Sequence, residues 1–579
     1  MGVHYTPPLL AEFVADRLVR ELKHSSEDLL RILDPACGDG ALLGALLRSM
    51  QNARMRLDCA VVGVEADKQA LSDAQSRLGN FQQAPCRLIL GDFLDLVTRG
   101  RGQPDLWEAR SQVPGFEHDF DIIIANPPYV RTQILGAEKS QRLAAIFGLS
   151  GRVDLYHAFL VAATQTLRPG GLMGIITSNR FLSTLGGRAV RAYLAQQYEI
   201  KEVIDLGDTK IFEAAVLPAI FIGRRRKEHS LRRARRPARF LKVYSQINPI
   251  IVASSGPSPA GSSFDVLSRG EPGCYRVPHG VFKLTRGNLI LDPDPSQVWS
   301  LTTEEEAGWL DRIHVASHGL FGDIAAVCVG IKTTADDVFI RSDWDTLPMK
   351  MRPEPDLLHP LLRHEDARRW VLPKGTKPAA RILYPHEVSD GRRKAVDLRR
   401  YPRTKAYLES HKERLERRHY VVEAGRQWYE IWVPQDPGAW ATPKIVFPDI
   451  SPQPRFYLDL DGRLVNGDCY WITILPGVPP DIIYLLLAVA NSSLMSRFHD
   501  LAFNNRLYSA RRRYITQYVA KYPYPDPASP VSERLILLVK QIVKEASFTQ
   551  ARPSDGQFNI QLDSLVEEAF GFRSGKVAP

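Results

Sequence analysis

Asn126-Pro127-Pro128-Tyr129 follows the apolar run Phe120-Asp121-Ile122-Ile123-Ile124-Ala125, so a buried strand surfaces there into a loop. Asn-Pro marks a turn, and prolines hold φ at about −65° without offering backbone donors. What remains is the Asn126 amide, the carbonyls beside it and the Tyr129 ring, all rigidly presented. Carbonyl oxygens at such a corner can accept both hydrogens of an exocyclic amine while the ring stacks on the attached base. The same four residues also fit an ordinary strand-end turn, so the neighbouring motifs must decide.

Asp34-Pro35-Ala36-Cys37-Gly38-Asp39-Gly40 directly follows a first strand and precedes a helix. Glycines there let the backbone approach a ligand closely, and a helix amino terminus favours a carboxylate or phosphate. Leu43 stands where a GxGxxG dinucleotide fingerprint needs glycine, and no Gly-Lys-Ser/Thr follows, which excludes a phosphate-binding P-loop. A second strand ends at Val64-Glu65 and a third at Gly91-Asp92-Phe93. An acid closing the second strand can hold both hydroxyls of a ribose. Asp92 can accept from an adenine amine while Phe93 packs on the ring face. Each acid alone reads equally as a surface cap. At consecutive carboxyl ends of one parallel sheet they describe a nucleoside site.

The elements that must position these residues alternate over 1–245. Arg31 to Leu33, Ala60 to Val64, Arg87 to Leu90, Ile122 to Ile124, Leu172 to Ile176, Glu202 to Asp205 and Ala219 to Ile222 read as strands. Helical periodicity lies between several of them, as in Ala41 to Met50 and Tyr156 to Leu167. Such alternation predicts an α/β fold with a doubly wound, mostly parallel, Rossmann-like sheet whose strands are covered on both faces. Residues 246–300, rich in Ser, Pro and Gly, read as a linker or insertion. From 301 to 528 short β-like pieces mix with prolines and tryptophans in an α+β texture, and 529–579 reads as a helical tail.

At 579 residues, 44% hydrophobic and 24% charged, the chain has the composition of a globular protein of two or three domains. No apolar run is long enough to span a bilayer and no signal peptide is evident, so a cytoplasmic protein without a membrane partner is expected. Six scattered cysteines form no CxxC pair, which argues against zinc or a disulfide framework, and no metal is expected. The net charge of +10 permits a polyanionic partner. Arginine runs such as Arg511-Arg512-Arg513 point the same way.

His4-Tyr5-Thr6-Pro7, Asp34 to Gly40, Glu65, Asp92-Phe93 and Asn126 to Tyr129 occur in the order found in gamma-class N6-adenine DNA methyltransferases, and the chain most resembles the Taq-type enzymes of type II restriction-modification systems. Asp154 to Phe159 with Leu167 to Gly171, and Ile211-Phe212 with Ala214 to Pro218, resemble that family's next motifs. The resemblance covers nearly all of 4–224. It is looser beyond, through Gly322 to Ile324, Val329 to Thr333, Tyr484 to Asn491 and Arg513 to Pro525. It implies a catalytic domain over 1–245 and a DNA-binding, target-recognition domain over 301–528.

The resemblance further implies S-adenosylmethionine as cofactor. Thr6, Asp34, Ala36 and Gly38 would lie near its methionine end, with Glu65 on the ribose, Asp92 and Phe93 on the adenine, and Asn126 beside the methyl. Double-stranded DNA is the implied partner. A paired amine is unreachable, so the target adenine must be flipped out. It would stack on Tyr129 and contact Phe212, while Asn126 Oδ1 and the Pro127 carbonyl accept its N6 hydrogens. No general base is needed before attack, and Cys37 reads as a packing residue. Lys332, Arg418, Arg426 and Arg511 to Arg513 are the phosphate or base contacts expected in the second half.

Other readings share part of these motifs. Enzymes that methylate a glutamine amide also carry Asn-Pro-Pro-Tyr but lack a large aromatic-rich second half. RNA adenine methylation and a modification subunit served by a separate specificity subunit are further alternatives. A fused nuclease is not expected, with the first motif at His4 and no Asp/Glu-x-Lys after Pro448-Asp449. A catalytically dead DNA-binding module would not need every motif the chemistry uses. The expected form is a monomer or weak dimer, with any cognate endonuclease encoded separately.

Overall fold

The computed structural model describes residues 5–22, 29–98 (except 56, 57, 82 and 83), 120–128 and 137–148. It further describes 155–289 except 210–216, 228–236 and 247–256, then 291–548 except 293, 295, 373–378, 390, 505 and 508–510, and finally 555–572. The chain divides into two compact units. One comprises 1–307 with 503–510, the other essentially 308–502 with 511–578.

The first unit is built on eleven strands: β1 (Leu30–Asp34), β2 (Cys59–Glu65), β3 (Cys86–Leu90), β4 (Phe120–Ala125), β5 (Leu167–Ser178), β6 (Tyr198–Asp205), β7 (Pro218–Arg225), β8 (Ala238–Ser245), β9 (Ser258–Pro259), β10 (Gly273–Val277) and β11 (Gly280–Leu289). Their order across the sheet is β3-β2-β1-β4-β5-β7-β6-β8-β11-β10-β9. β1 to β5 pair in parallel, β7 runs antiparallel between β5 and β6, and β8 returns parallel to β6. Ile32, Leu33 and Ile122 to Ile124 are fully buried, as strands covered on both faces require. Helices α1 (Pro8–Glu21) and α2 (Ala41–Asn52) pack into the core on one face.

Two expected boundaries change. The stretch taken as linker or insertion contributes, from residue 257 on, three strands that extend the catalytic sheet by antiparallel pairing of β11 with β8. In β11 Val281, Phe282, Leu284, Thr285 and Leu289 are buried, adjacent pairs rather than the clean alternation that marks a strand in sequence. The closing helices Pro530–Phe548 and Asp555–Ala569 belong to the second unit, not to a separate tail. That unit carries a five-stranded and a four-stranded sheet around a core that includes Trp344, Tyr407, Trp440, Tyr457 and Trp471. The aromatic richness of the second half is thus mainly packing.

Candidate active site

Because β3, β2, β1 and β4 lie side by side and parallel, their carboxyl ends bring four polar residues to one edge of the sheet. In spatial order these are Asp92, Glu65, Asp34 and Asn126. Asp34 closes β1 and is 1% exposed. Its Oδ1 accepts from the Ala36 N–H at 3.0 Å, while Oδ2 is buried with no hydrogen-bond partner among the described residues. Burial pushes the carboxyl up to about 8; the Ala36 N–H opposes that, and the Glu65 and Asp39 charges add to it. A buried acid left half satisfied is an invitation to a cationic ligand.

The turn after Asp34 is shaped for close approach. Gly38 and Gly40 have φ of 52° and 77°, values that a Cβ disfavours. A Cβ on Gly40 would also meet Ala74 at 3.2 Å. The Gly38 N–H donates to Glu65 Oε2 at 2.9 Å, and Glu65 Oε1 accepts from Ala66 and Asp67 N–H groups at 2.8 and 2.9 Å. Three backbone donors fix this carboxylate at the end of β2, and Oε2, which accepts from Gly38 alone, retains a lone pair for a further donor. Cys37 is 5% exposed, its thiol kept protonated chiefly by burial, as expected of a packing residue.

Asp92 is exposed at the next strand end, with Oδ1 accepting from the Leu94 N–H at 2.8 Å. Phe93 corrects the expectation made for it. Its side chain is 1% exposed in the core, its ring centroid 5.7 Å from that of Phe159. It cannot offer a face to a bound adenine, so only its main chain is placed at the edge. The following helix Phe93–Thr98 must bury one side, and Phe93 lies on it.

Asn126 stands at the end of β4, with Pro127 buried and Pro128 exposed beyond it. Its Nδ2 donates to Thr6 Oγ at 3.1 Å. That bond turns the amide so that nitrogen faces Thr6 and oxygen the opposite side. Thr6 therefore contacts the Asn126 corner directly, a contact that its motif alone did not disclose. Tyr5, just before it, lies over the Gly38 turn, where a Cβ on that glycine would meet its ring at 3.4 Å. Tyr129 and Phe212 lie outside the described residues.

Sequence reasoning missed a second polar group along the same edge. Asp205, ending β6, is fully buried and accepts from Tyr244 Oη at 2.6 Å, Asn504 Nδ2 at 2.9 Å, the Gly207 N–H at 3.0 Å and Asn179 Nδ2 at 3.1 Å. Burial raises its carboxyl and these four donors oppose the rise. The Asn179 N–H donates to the Leu217 carbonyl at 2.9 Å and the Leu206 N–H to the Pro218 carbonyl at 3.1 Å, which fixes both stems of the segment containing Phe212. Polar residues closing apolar strands were the available signal at 179 and 205; nothing local marks Asn504.

The basic residues expected to touch DNA divide sharply. Arg418 is 3% exposed and donates to the carbonyls of Trp428, Thr333 and Leu415 at 2.8, 2.9 and 3.2 Å. It is an internal strut and is withdrawn as a contact. Arg512 makes a two-pronged pair with Asp500 at 2.6 and 2.8 Å, and Arg513 one with Asp449 at 3.0 Å on each prong. Those carboxylates already take the forks that would grip phosphate. Lys332 and Arg511 are exposed, while Arg426 is partly covered and donates to the Trp432 carbonyl at 2.6 Å.

Residues 69–212 match the family model for the Eco57I restriction-modification methylase. The type II methyltransferase M.BanIII of Aneurinibacillus aneurinilyticus is 40% identical over 98% of this chain and 97% of its own. M.BstVI of Geobacillus stearothermophilus, also a type II methyltransferase, is 24% identical over 98% of this chain and 96% of its own. A nuclease-deletion mutant of the type ISP restriction-modification enzyme LlaGI, solved with a DNA substrate mimic, superposes with a TM-score of 0.54. The superposition covers 96% of this chain and 48% of that one at 12% identity, a likeness of fold.

Proposed function

Because the chain belongs to the type II DNA methyltransferases of restriction-modification systems, whose methyl donor is S-adenosylmethionine, we propose that it methylates N6 of an adenine flipped out of duplex DNA. The observation that carries the choice of an exocyclic amine is the Asn126 corner, with its amide oriented by Thr6 at the end of β4.

The residues present fit the methyl donor. Asp34 Oδ2, buried and unpartnered among the described residues, suits the ammonium of the methionine end. Glu65 suits the ribose hydroxyls and Asp92 the adenine amine, and the three stand in that order along the edge with Asn126 next to Asp34. Bound S-adenosylmethionine supplies an electrophilic methyl on a sulfonium. Asn126 Oδ1 and the Pro127 carbonyl accept the two N6 hydrogens of the target, which draws the nitrogen toward tetrahedral geometry and localises its lone pair. The attacking nitrogen becomes acidic as it is alkylated, so its proton can leave afterwards without a strong base. Tyr129 and Phe212 take the roles of base platform and second aromatic wall. Stacking of this kind contributes about 1–3 kcal/mol per base, which offsets part of the cost of unpairing.

Single-molecule sequencing of DNA from a host expressing the chain, beside an Asn126→Ala control, tests the reading. New N6-methyladenine at one recurring sequence in the first and none in the second is expected. Methylation at cytosine, or adenine methylation that survives in the control, would overturn it.

A further inference from the structure

We propose that the β-hairpin formed by His386–Ser389 and Arg392–Ala395 in the second unit is a base-reading element that enters the major groove of the target duplex; the assignment rests on the DNA-methylating function above. The stretch from His386 to Arg426, hairpin included, holds twelve Lys and Arg against seven Asp and Glu, a net of +5 in a chain of net +10. Many of these cations are engaged locally. Arg399 pairs with Asp397, Arg403 with Glu354, Arg414 with Asp337 and Arg417 with Glu413, and Arg418 is buried. Arg392 is exposed and makes no ion pair among the described residues, and exposed Arg393 donates to the Gln435 carbonyl at 3.2 Å, a contact that neutralises no charge.

The shape suits the occupant. The two strands pair only with each other, so the hairpin is an isolated ribbon, and a two-stranded ribbon is one of the two elements that B-DNA's major groove admits. Gly391, leading into the second strand, has φ 69°, a value that favours glycine at a hairpin end. The root is rigid: His386 is buried and its Nε2 accepts from the Ile431 N–H at 3.1 Å, while the Val396 N–H donates to the Pro385 carbonyl at 3.1 Å. The outer end is exposed on both faces. Arg392 lies opposite Ser389 and Arg393 opposite Val388, so the two guanidinium groups stand on opposite faces of the ribbon. A ribbon whose tip enters the groove thus carries one arginine on each side of the tip, and either side chain can make the forked contact with guanine O6 and N7 on the groove floor. Val388, 50% exposed beside Arg393, is an apolar tip of the kind that meets a thymine methyl.

The surface continues beyond the hairpin. Arg426 lies over the Trp432 ring at 5.0 Å, and the Lys332 N–H donates to the Val433 carbonyl at 3.0 Å. These residues sit on or against the same 431–435 segment that anchors the hairpin root, and they supply flanking positive charge. A phosphate-only role for the hairpin would need charge alone; the forked geometry predicts sequence discrimination as well.

The test uses the full-length protein and a fluorescent duplex carrying the sequence found methylated in the expressing host, beside a scrambled duplex. Arg392→Ala/Arg393→Ala is expected to lose at least about tenfold in affinity for the cognate duplex and most of its preference over the scrambled one, with the salt slope falling by less than the roughly 0.9 per contact that lost phosphate contacts would give. Melting temperature and S-adenosylmethionine binding should be unchanged. Arg392→Lys/Arg393→Lys keeps the charge, so it should bind the scrambled duplex as the wild type does while losing about tenfold in discrimination. Arg414→Ala/Arg417→Ala, whose charges are already paired, should bind as the wild type does. If both hairpin variants bind and discriminate like the wild type, the assignment is overturned. If the lysine variant keeps full discrimination, the hairpin holds phosphates and base reading is overturned. A wild type that neither methylates nor binds duplex DNA would instead remove the function on which the assignment rests.

Discussion

Charged residues at the strand ends of the first unit and those in the arginine runs of the second meet opposite fates on folding. Asp34, Glu65 and Asp92 keep their carboxyl groups at the sheet edge, each accepting from at least one backbone N–H and none consumed by an arginine or lysine among the described residues. Arg418, Arg512 and Arg513 spend their guanidinium groups on carbonyls or on acids of the same unit. Backbone donors orient a carboxylate without neutralising it, whereas a forked pair with a carboxylate uses both the charge and the geometry of an arginine. A strand end here leaves its charged group available for a ligand, whereas these members of the arginine runs are already engaged.

The comparison breaks most clearly at Asn126. Replacing it with Ala should cut methylation by about 10²–10³-fold, the size of losing one preorganised polar partner of a transition state, with S-adenosylmethionine binding retained by calorimetry. Arg418→Ala should instead cost about 3 kcal/mol in denaturant unfolding, because three carbonyls lose a charged donor, and should leave the salt slope of DNA binding unchanged. A changed slope with unchanged stability would return Arg418 to the DNA surface.

Asp34 sharpens the contrast through pH. Its carboxyl sits at about 8 in the folded chain against 3.8 for the ordinary group, so the unfolded chain binds fewer protons between those values. The stability contribution is full below the lower value and is lost as pH rises through the upper one, by about 1.4 kcal/mol per pH unit across the window. Asp34→Asn should flatten that part of the ligand-free profile. Binding of a cationic methionine end near neutral pH should expel about one proton from the wild type and none from the variant, read by calorimetry in buffers of different ionisation enthalpy. The smallest effect is expected at Thr6. Thr6→Val removes the partner of the Asn126 amide, worth about 1 kcal/mol, and should lower kcat about fivefold with the affinity for S-adenosylmethionine intact. An equal loss of cofactor affinity would place Thr6 on the methionine end instead.

Seven strands of the first unit, β1 to β7, were legible because most are apolar runs closed at or just beyond their end by a polar residue, whereas β8 to β11 were not read as strands. Expected pieces such as Ala60 to Val64 and Ile122 to Ile124 appear as Cys59–Glu65 and Phe120–Ala125. Helix α2 at Ala41–Asn52 follows its expected span because the Gly40 turn and an apolar stripe are both local signals. The second half offered no such rhythm: its strands are two to six residues long, and their partners lie far apart in sequence, as when Trp370 pairs with Tyr457.

The sequence by itself determined which residue closes each strand along the site's sheet edge, since a strand's end and the side chain there are neighbours in the chain; the order in space came from the strand order of the folded sheet. Only the tertiary structure decided which side chains remain available there. Phe93 turned inward because its helix needed a buried face, and Arg418 became a strut because three carbonyls around it needed a donor. Asn504 returned across 299 residues to a buried carboxylate at the end of β6. Burial and hydrogen-bond satisfaction are settled between distant segments, and no local pattern records them.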